Sequence, residues 1–297
     1  MRSVERETAD ASLRKASCEQ KNLAVPAQLG TARSYERNGI TMAVLKEFNC
    51  DKLHVRVFDS RAAMGACAGQ EAAACIKELL KHKDSINVMF AAAPSQNETL
   101  AELITDADID WSRINAFHMD EYVGLAPEHP AGFRNFLNRA IFGLKNFKSV
   151  NLINGNALDA WEEAARYDRL LREHPLDVCL LGVGENGHIA FNDPPVADFN
   201  DSAYVKVVEL EERCRQQQVN DGCFEHISQV PTHALTVTIP GLTQAGVMFC
   251  SVPAATKAEA IEHMVNDEIS TACPATILRL HDCAKLYTDP DSGSRIL

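Results

Sequence analysis

The chain has 297 residues, a mean hydropathy of -0.18 and a net charge of -12, from 29 lysines and arginines against 41 aspartates and glutamates. This length allows one large domain or two small ones, and no apolar run is long enough to cross a bilayer. The negative charge argues against nucleic acid and anionic membranes as partners, although a small anion can still bind where a few donors meet.

Residues 1–41 are polar and lack an apolar period, and a second methionine, Met42, precedes the first segment with a folding pattern. This pattern predicts a flexible extension, or a translation start that was assigned upstream of the true start at Met42. The alternative is an arm that docks against a partner subunit. Residues 43–297 contain no repeat, low-complexity tract or linker, and therefore predict a single domain. A homo-oligomer is left open.

Beyond the extension, strand and helix patterns alternate along the chain. Strands are predicted at residues 53–58, 86–92, 113–119, 149–153, 177–183, 203–209, 233–239 and 246–252. Helices are predicted at residues 60–83, with Asp59 or Ser60 as the cap, and at 97–104, 131–143, 157–173 and 255–266. This alternation predicts a three-layer α/β/α fold around a mostly parallel, Rossmann-like sheet, with ligands bound beyond the carboxyl ends of the strands.

The cysteines and the N-terminal sequence indicate the compartment. The 10 cysteines are scattered and form no CxxC pair, which is typical of free thiols under reducing conditions. The N-terminal residues carry charge but lack the apolar stretch of a signal peptide. These patterns predict a cytoplasmic protein.

The first polar loop at a predicted strand end reads HMDEYVGL, residues 118–125. Asp120 follows directly after an apolar strand, so one side of its carboxylate is dry and the other is wet. That setting suits a general base. Capping of the following turn is the competing interpretation for an aspartate in this position.

The second polar loop reads GVGENGHIAFNDP, residues 182–194. Its glycines, Gly184 and Gly187 among them, fit G-x-G-x-x-G, but the prolines that follow leave no room for the long helix of a dinucleotide site. The glycines more simply let the backbone approach a small ligand, with His188 and Asp193 projecting into the same space. A histidine beside carboxylates can transfer a proton at neutral pH.

MDEYVGL and GVGENGHIAFNDP closely resemble the paired signatures of the glucosamine-6-phosphate deaminase (isomerase) family, and element order extends the resemblance over residues 43–290. The sister family, 6-phosphogluconolactonase, typically has SLFP after the loop histidine and a DER-type motif in place of MDEY. The resemblance therefore implies the deaminase branch and its sugar-phosphate isomerase fold. It implies conversion of an amino-sugar 6-phosphate to fructose 6-phosphate and ammonia, without a metal or organic cofactor.

The resemblance also implies roles for the loop residues. Asp120 matches the base that removes the C2 proton, and His188 matches the group that protonates the ring oxygen, oriented by Asn186 and Asp193. Many family members have aspartate at the position of Asn186, and an amide can orient the ring but adds no charge. Asp193 stands where the family has glutamate. It is one methylene shorter, so its reach to His188 is a question for the structure.

The predicted phosphate turn departs from the family pattern. Members usually place Gly-Gly-Thr or Gly-Ser-Thr after the second strand, whereas this chain has Ala93, Pro94 and Ser95. Pro94 lacks an N–H donor, but Ser95 keeps a hydroxyl at the mouth of the next helix, a favourable site for an anion. This turn and the glycines of the second loop are the expected substrate contacts.

Two basic side chains are candidates for binding the phosphate of the substrate. Lys257 matches the phosphate lysine of the family by position, with a solvated surface lysine as the alternative. Arg215, or its neighbour Arg213, is the candidate for a second cation.

Other functions stay open at this point. One is a lactonase or an isomerase of another sugar phosphate, and another is a catalytically weak sugar-phosphate sensor. A metal site of His118, Asp120 and His188 lacks a ligand-spacing motif, so metal-free chemistry is expected. Residues 195–198 replace the serine-bearing segment of allosteric members, so no allosteric site is predicted.

Overall fold

The computed structural model describes residues 33–37 and 40–297, with side chains from residue 43 onward. None of the helices in this part of the chain is long and apolar enough to span a membrane.

An antiparallel hairpin forms one edge of the main sheet. Its strands are β1 (Arg33–Arg37) and β2 (Ile40–Cys50), and β2 continues antiparallel onto β3 (Leu53–Phe58). For these residues the predicted extension is wrong, because an edge strand needs backbone partners on one side only and tolerates a polar sequence. The rest of the predicted extension lies outside the described residues.

The main sheet is mostly parallel, as predicted. Within the described chain it has nine strands in the order β1-β2-β3-β12-β11-β8-β4-β5-β7, and all pairs from β3 to β7 are parallel. The remaining strands of this sheet are β4 (Ile86–Phe90), β5 (Ile114–His118), β7 (Ser149–Asn151), β8 (Val178–Leu181), β11 (Val247–Val252) and β12 (Ala284–Thr288).

Helices cover both faces of the sheet. They are α1 (Arg61–His82), α2 (Asn97–Thr105), α3 (Phe133–Leu137), α4 (Ala160–Glu173), α5 (Glu212–Asn220), α6 (Ile239–Thr243) and α7 (Ala258–Asn266). In β4, Val88 and Phe90 join the core with α1, α2 and α3, while Met89 joins the core with α4, α6 and α7. Because successive strand residues point to opposite faces, the two cores confirm the predicted three-layer α/β/α fold.

A second, antiparallel sheet stands apart from the main one. It consists of β6 (Asp120–Tyr122), β10 (His233–Val237) and β9 (Val205–Glu209), with β10 in the centre. The sequence predicted β9 and β10 as strands, but the alternation of strands and helices suggested that they join the parallel sheet. Strand patterns do not reveal which sheet a strand enters, since both kinds bury apolar residues.

The central strand of this small sheet connects the two polar loops. Thr236 pairs with Asp120 of the first loop, and its hydroxyl accepts the Phe191 N–H of the second loop at 3.0 Å. The carbonyl of Val237 accepts a hydrogen bond from Asn192 Nδ2 at 2.8 Å. Strand β10 therefore fixes the position of each loop against the other.

Several elements differ from the sequence prediction. The predicted helix 131–143 is the short α3 followed by a π-helical turn, Asn138–Phe142. Strand β12 was missed because it is buried on both faces and shows no alternation. Helix α5, sequence ERCRQQQVN, was missed because it is polar around its whole circumference.

Candidate active site

A cleft at the carboxyl ends of β4, β5, β8 and β11 brings together the two polar loops, the turn after β4 and the turn before α7. The sequence-predicted site residues that line it are Ala93, Pro94, Ser95, Asp120, Gly184, His188 and Lys257. A larger open groove of about 580 Å³ lies between α4 and β9, but none of its lining residues belongs to either loop. The chemistry is therefore in the cleft.

Asp120 is the first residue of β6 and is 7% exposed. Burial, together with the neighbouring Glu121 carboxylate, holds the pKa of Asp120 well above its usual range. Among the described residues, no side-chain hydrogen bond or ion pair holds its carboxylate. A carboxylate of raised pKa that faces a cleft is a stronger proton acceptor than an ordinary aspartate.

The residues on either side of Asp120 hold its loop in place. His118 Nε2 accepts the Ile153 N–H at 2.8 Å, so its Nδ1 donates to the Asp120 carbonyl at 3.0 Å. Burial lowers the pKa of His118 to about 4, which keeps the ring neutral. Glu121 accepts backbone N–H groups of Phe133 and Arg134 and so caps α3. The first loop therefore contributes one reactive side chain and two positioning ones.

His188 and Asp193 form a close pair in the second loop. Asp193 Oδ1 lies 2.9 Å from His188 Nδ1, so the shorter side chain reaches the ring. Asn186 accepts the backbone N–H of His188 at 3.1 Å and donates to Asp193 Oδ1 at 3.0 Å. Although burial opposes it, the contact with His188 and these hydrogen bonds hold the pKa of Asp193 below its usual range. Asp193 is therefore ionised, and Nε2 of His188 is left for the cleft.

The two loop glycines differ in position, since Gly184 lines the cleft and Gly187 does not. A Cβ at Gly184 would lie 2.1 Å from His188 Cε1, so glycine makes room for the ring beside the cleft. Gly187 has φ +82, a left-handed conformation that favours glycine, and its Cβ would lie 2.5 Å from Cys273 Sγ. Gly187 does not line the cleft. Its predicted substrate contact therefore stays a prediction without support from this geometry, in which the residue shapes the turn.

The turn after β4 forms the other end of the cleft. Gln96 donates its backbone N–H to the Ala93 carbonyl at 2.9 Å and its side-chain Nε2 to Ser95 Oγ at 3.2 Å. Because Ser95 accepts that bond, its hydroxyl hydrogen is available to a ligand. Arg61, the first residue of α1, donates to the Pro94 carbonyl at 2.7 Å and also lines the cleft. Nothing in the sequence distinguished Arg61 from an ordinary helix residue.

Lys257 is buried, with 4% of its surface exposed, so the surface alternative is wrong. Its Nζ has no hydrogen-bond partner among the described residues and lies 4.0 Å from Glu185 Oε1. Burial lowers the pKa of Lys257, against the opposing effect of the Asp221 and Glu185 carboxylates. A buried amine without a partner is costly unless a ligand satisfies it.

Neither arginine predicted from the sequence reaches the cleft. Arg215 donates to the carbonyls of Ile227 and Val230 at 2.8 and 2.9 Å, so it fixes the segment that follows α5. Arg213 pairs with Glu259 on the surface at 2.9 Å. A phosphate contact by Arg215 stays a prediction that this arrangement does not support, and the sequence did not define which way the side chain faces because α5 was not recognised.

Residues of α5 that the sequence did not single out line the cleft instead, namely Gln217, Gln218 and, just beyond the helix, Asp221. Another residue of α5, Cys214, lies behind the His188–Asp193 pair, which we call the proton-transfer pair. One potential ligand atom from each of His188, Asp193 and Cys214 lies within 4.8 Å of the others. This trio differs from the one considered in the sequence, and metal-free chemistry stays a prediction.

Proton transfer is the chemistry for which this cleft is equipped, and its position at the strand ends is where α/β sheets bind small molecules. Fold and site thus define an α/β enzyme of the acid–base type. Residues 59–287 match the profile of the family described as glucosamine-6-phosphate isomerases/6-phosphogluconolactonase, and the chain belongs to this family. The resemblance drawn from the two loops is confirmed.

Individual relatives carry the deaminase name. The chain is 35% identical over 209 residues to a glucosamine-6-phosphate deaminase of Listeria welshimeri, which covers 70% of this chain and 87% of that protein. It is 36% identical over 220 residues to a protein of the same name from an Exiguobacterium species, covering 74% and 84%.

Solved structures agree on the fold. A monomeric glucosamine-6-phosphate deaminase superposes with a TM-score of 0.74 at 28% identity, over 81% of this chain and 99% of that one. A 6-phosphogluconolactonase from Thermotoga maritima superposes with a TM-score of 0.64 at 17% identity, over 79% and 98%. The second likeness shows the fold alone.

Proposed function

We propose that this chain is a glucosamine-6-phosphate deaminase, which converts glucosamine 6-phosphate and water to fructose 6-phosphate and ammonia. The observation that carries the proposal is the meeting, in one cleft, of the Asp120 carboxylate, the His188–Asp193 pair and the buried amine of Lys257. The names of the relatives at 35% and 36% identity support it. The reaction is an aldose–ketose isomerisation with loss of the amine, and its use of water is why hydrolase is also an apt class.

Ring opening is the step assigned to His188. The protonated imidazole donates a proton from Nε2 to the ring oxygen of the sugar as the C1–O5 bond breaks, while a base removes the proton of the C1 hydroxyl. Asp193, ionised and 2.9 Å from Nδ1, keeps the ring oriented and stabilises its protonated form. General acid catalysis of this kind is worth about 10²–10⁴-fold in rate.

Isomerisation is the step assigned to Asp120. Its carboxylate takes the proton from C2 of the open-chain aldehyde, and the electron pair moves through the C1–C2 bond to the carbonyl oxygen. Return of a proton to C1 leaves an iminium at C2 and an alkoxide at C1, and a proton then passes from the nitrogen to that oxygen. Water hydrolyses the resulting imine to the ketone and ammonia. The raised pKa of Asp120 strengthens it as the acceptor of a weakly acidic C–H proton.

The phosphate is assigned to the opposite end of the cleft. Lys257 offers an unpartnered amine, Ser95 a hydroxyl hydrogen, and Arg61 a guanidinium that also holds the Pro94 carbonyl. Helix α2 begins behind the turn and adds backbone N–H groups. A bound dianion favours the ammonium form of Lys257, so ligand binding reverses the effect of burial on this group.

The test measures ammonia release and fructose 6-phosphate formation from glucosamine 6-phosphate by the purified chain, with Asp120→Asn as the inactive reference. Equal yields of the two products support the proposal. Hydrolysis of 6-phosphogluconolactone without ammonia release would instead identify a lactonase, and tight binding of the phosphosugar without turnover would identify a sensor.

Compartment and assembly are further proposals. The nine cysteines among the described residues all carry free thiols, which supports a reducing compartment such as the cytoplasm. A homo-oligomer stays a prediction, and the solved deaminase that this chain resembles is described as monomeric.

A further inference from the structure

A carboxylate outside both sequence motifs contacts the Asn186 amide, which holds the His188–Asp193 pair. Glu211 immediately precedes α5, and its Oε2 accepts a hydrogen bond from Asn186 Nδ2 at 2.6 Å. The same Nδ2 donates to Asp193 Oδ1 at 3.0 Å. A single side-chain amide therefore bridges the carboxylates of Glu211 and Asp193.

The surroundings fix the orientation of the Asn186 amide. Its Oδ1 accepts the backbone N–H of His188 at 3.1 Å, so Nδ2 has to face the two carboxylates, and each of its hydrogens has its own acceptor. The backbone N–H of Glu211 also donates to Asp193 Oδ2 at 3.3 Å. Glu211 thus holds Asp193 both directly, through its main chain, and indirectly, through the amide.

We propose that Glu211 is a positioning residue for His188. Its carboxylate fixes the Asn186 amide, and with it Asp193, while its negative charge favours the protonated imidazole needed for ring opening. Asn186 orients but carries no charge, so a second negative charge beside the pair comes from α5 rather than from the loop. The catalytic part of this inference rests on the proposed deaminase function.

The other charged groups near the pair do not supply the negative charge that we assign to Glu211. Cys214 on α5 is the titratable side chain packed against Asp193. The charged groups farther around the cleft are Asp120 on β6, Glu185 in the loop, Asp221 after α5 and Lys257 before α7. Glu185 and Lys257 lie 4.0 Å apart and offset each other's charge. Burial and the nearby Asp193 carboxylate raise the pKa of Cys214, which keeps its thiol neutral.

Two substitutions separate charge from geometry. Glu211→Gln keeps an oxygen that can accept the Asn186 hydrogen bond but removes the charge, whereas Glu211→Ala removes both. Glu212→Gln is the matched control, since Glu212 is the adjacent residue, is exposed and makes the same change in net charge. Each variant is measured for kcat, KM and their pH dependence, and the His188 ring is titrated by NMR, with its resonances assigned against His188→Gln.

In Glu211→Gln we expect the NMR titration and the matching limb of the kcat profile to move to lower pH, because the negative charge that favours the protonated imidazole is gone. In Glu211→Ala we expect kcat to fall about tenfold with little change in KM. Glu212→Gln should match wild type in every measurement.

An unshifted titration and profile in Glu211→Gln would overturn the charge role. Wild-type kcat in a folded Glu211→Ala would overturn the positioning role. If Glu211→Ala does not fold, Glu211→Gln still decides the matter. If the wild type shows no deaminase activity, the proposed function fails separately, and the NMR titration still reports whether Glu211 acts on His188.

Discussion

At one end of the cleft, Asn186 and the backbone of Glu211 hold the His188–Asp193 pair, whereas at the other end Lys257 lies buried with no hydrogen-bond partner among the described residues. Proton transfer requires a fixed geometry, so hydrogen bonds hold the supporting carboxylate in place before substrate arrives. Anion binding requires free donors, so their partners come with the ligand. The cost of burying Lys257 is therefore offset only in the complex.

The first polar loop also combines a side chain without partners and side chains with hydrogen-bond partners. Asp120, which is placed to touch substrate, has no side-chain partner among the described residues, while its neighbours His118 and Glu121 are fully engaged in positioning. In this loop the side chain without a hydrogen-bond partner is the expected substrate contact, and the hydrogen-bonded side chains beside it hold it in position. Substitutions at the two kinds of position should have different consequences.

The largest effect is expected for Asp120→Asn. Turnover should fall by about 10²–10⁴-fold because the amide cannot accept the C2 proton, while binding of the phosphosugar is retained. Exchange of the C2 proton with deuterated solvent, followed with ammonia release, measures the loss. Asp108→Asn, at an exposed site, is the control. Exchange at the wild-type rate in Asp120→Asn would show that another group is the base.

The next largest effect is expected for Lys257→Met, which should raise the Kd for the phosphosugar about ten- to a hundredfold through loss of one charge-assisted contact. The Kd for unphosphorylated glucosamine should stay nearly constant. Calorimetric titration with both sugars measures the difference, with exposed Lys81→Met as the control. Equal losses for the two sugars would place the anion site elsewhere.

A smaller effect is expected for Arg61→Gln. The neutral side chain loses one charge near the phosphate and weakens the hold on the Pro94 carbonyl, so KM for the phosphosugar should rise about tenfold. Arg213→Gln should leave KM unchanged, because Arg213 is paired on the surface. A larger rise in KM for Arg213→Gln than for Arg61→Gln would show that the arginine suggested by the sequence binds the phosphate instead.

The smallest effects concern stability, and they differ in sign between the two carboxylates. Asp193→Asn should lower the free energy of unfolding at pH 7 by about 1–3 kcal/mol through loss of an ionised partner of His188. Because the folded-state pKa of Asp193 is lowered, this contribution is present above the unfolded-state pKa and disappears as pH falls through the folded-state value.

For Asp120 the folded-state pKa is raised, so its ionised form costs stability as pH rises through that value. Asp120→Asn should therefore keep or raise the melting temperature at pH 7, where Asp193→Asn lowers it. Thermal unfolding of the two variants between pH 4 and pH 8 tests this difference in sign. A melting temperature lowered in both variants would mean that Asp120 also stabilises the fold.

The proton-transfer end could be predicted from sequence because its reactive residues lie in two continuous motifs after strands. Asp120 and His188 needed only the rule that strand ends of an α/β sheet face the ligand. The role of Gly187 could not be read from the motif, because a motif does not separate a glycine that contacts substrate from one that permits a left-handed turn.

The anion end could be predicted only in part. Ser95 and Lys257 follow from the resemblance, whereas Arg61 begins α1 and Gln217 lies on a helix whose polar sequence has no amphipathic period. Glu211 was missed because its position depends on where α5 begins and which way it faces.

Strand β10 links the two polar loops in space, although its own sequence carries no motif. Asp120 pairs with Thr236, and the same strand holds Phe191 and Asn192 of the other loop. Grafting one loop from a relative would therefore leave its anchors on β10 unmatched. A working chimera has to carry residues 118–125, 182–194 and 233–237 together, so the smallest exchangeable unit of this enzyme is three segments that are far apart in the gene.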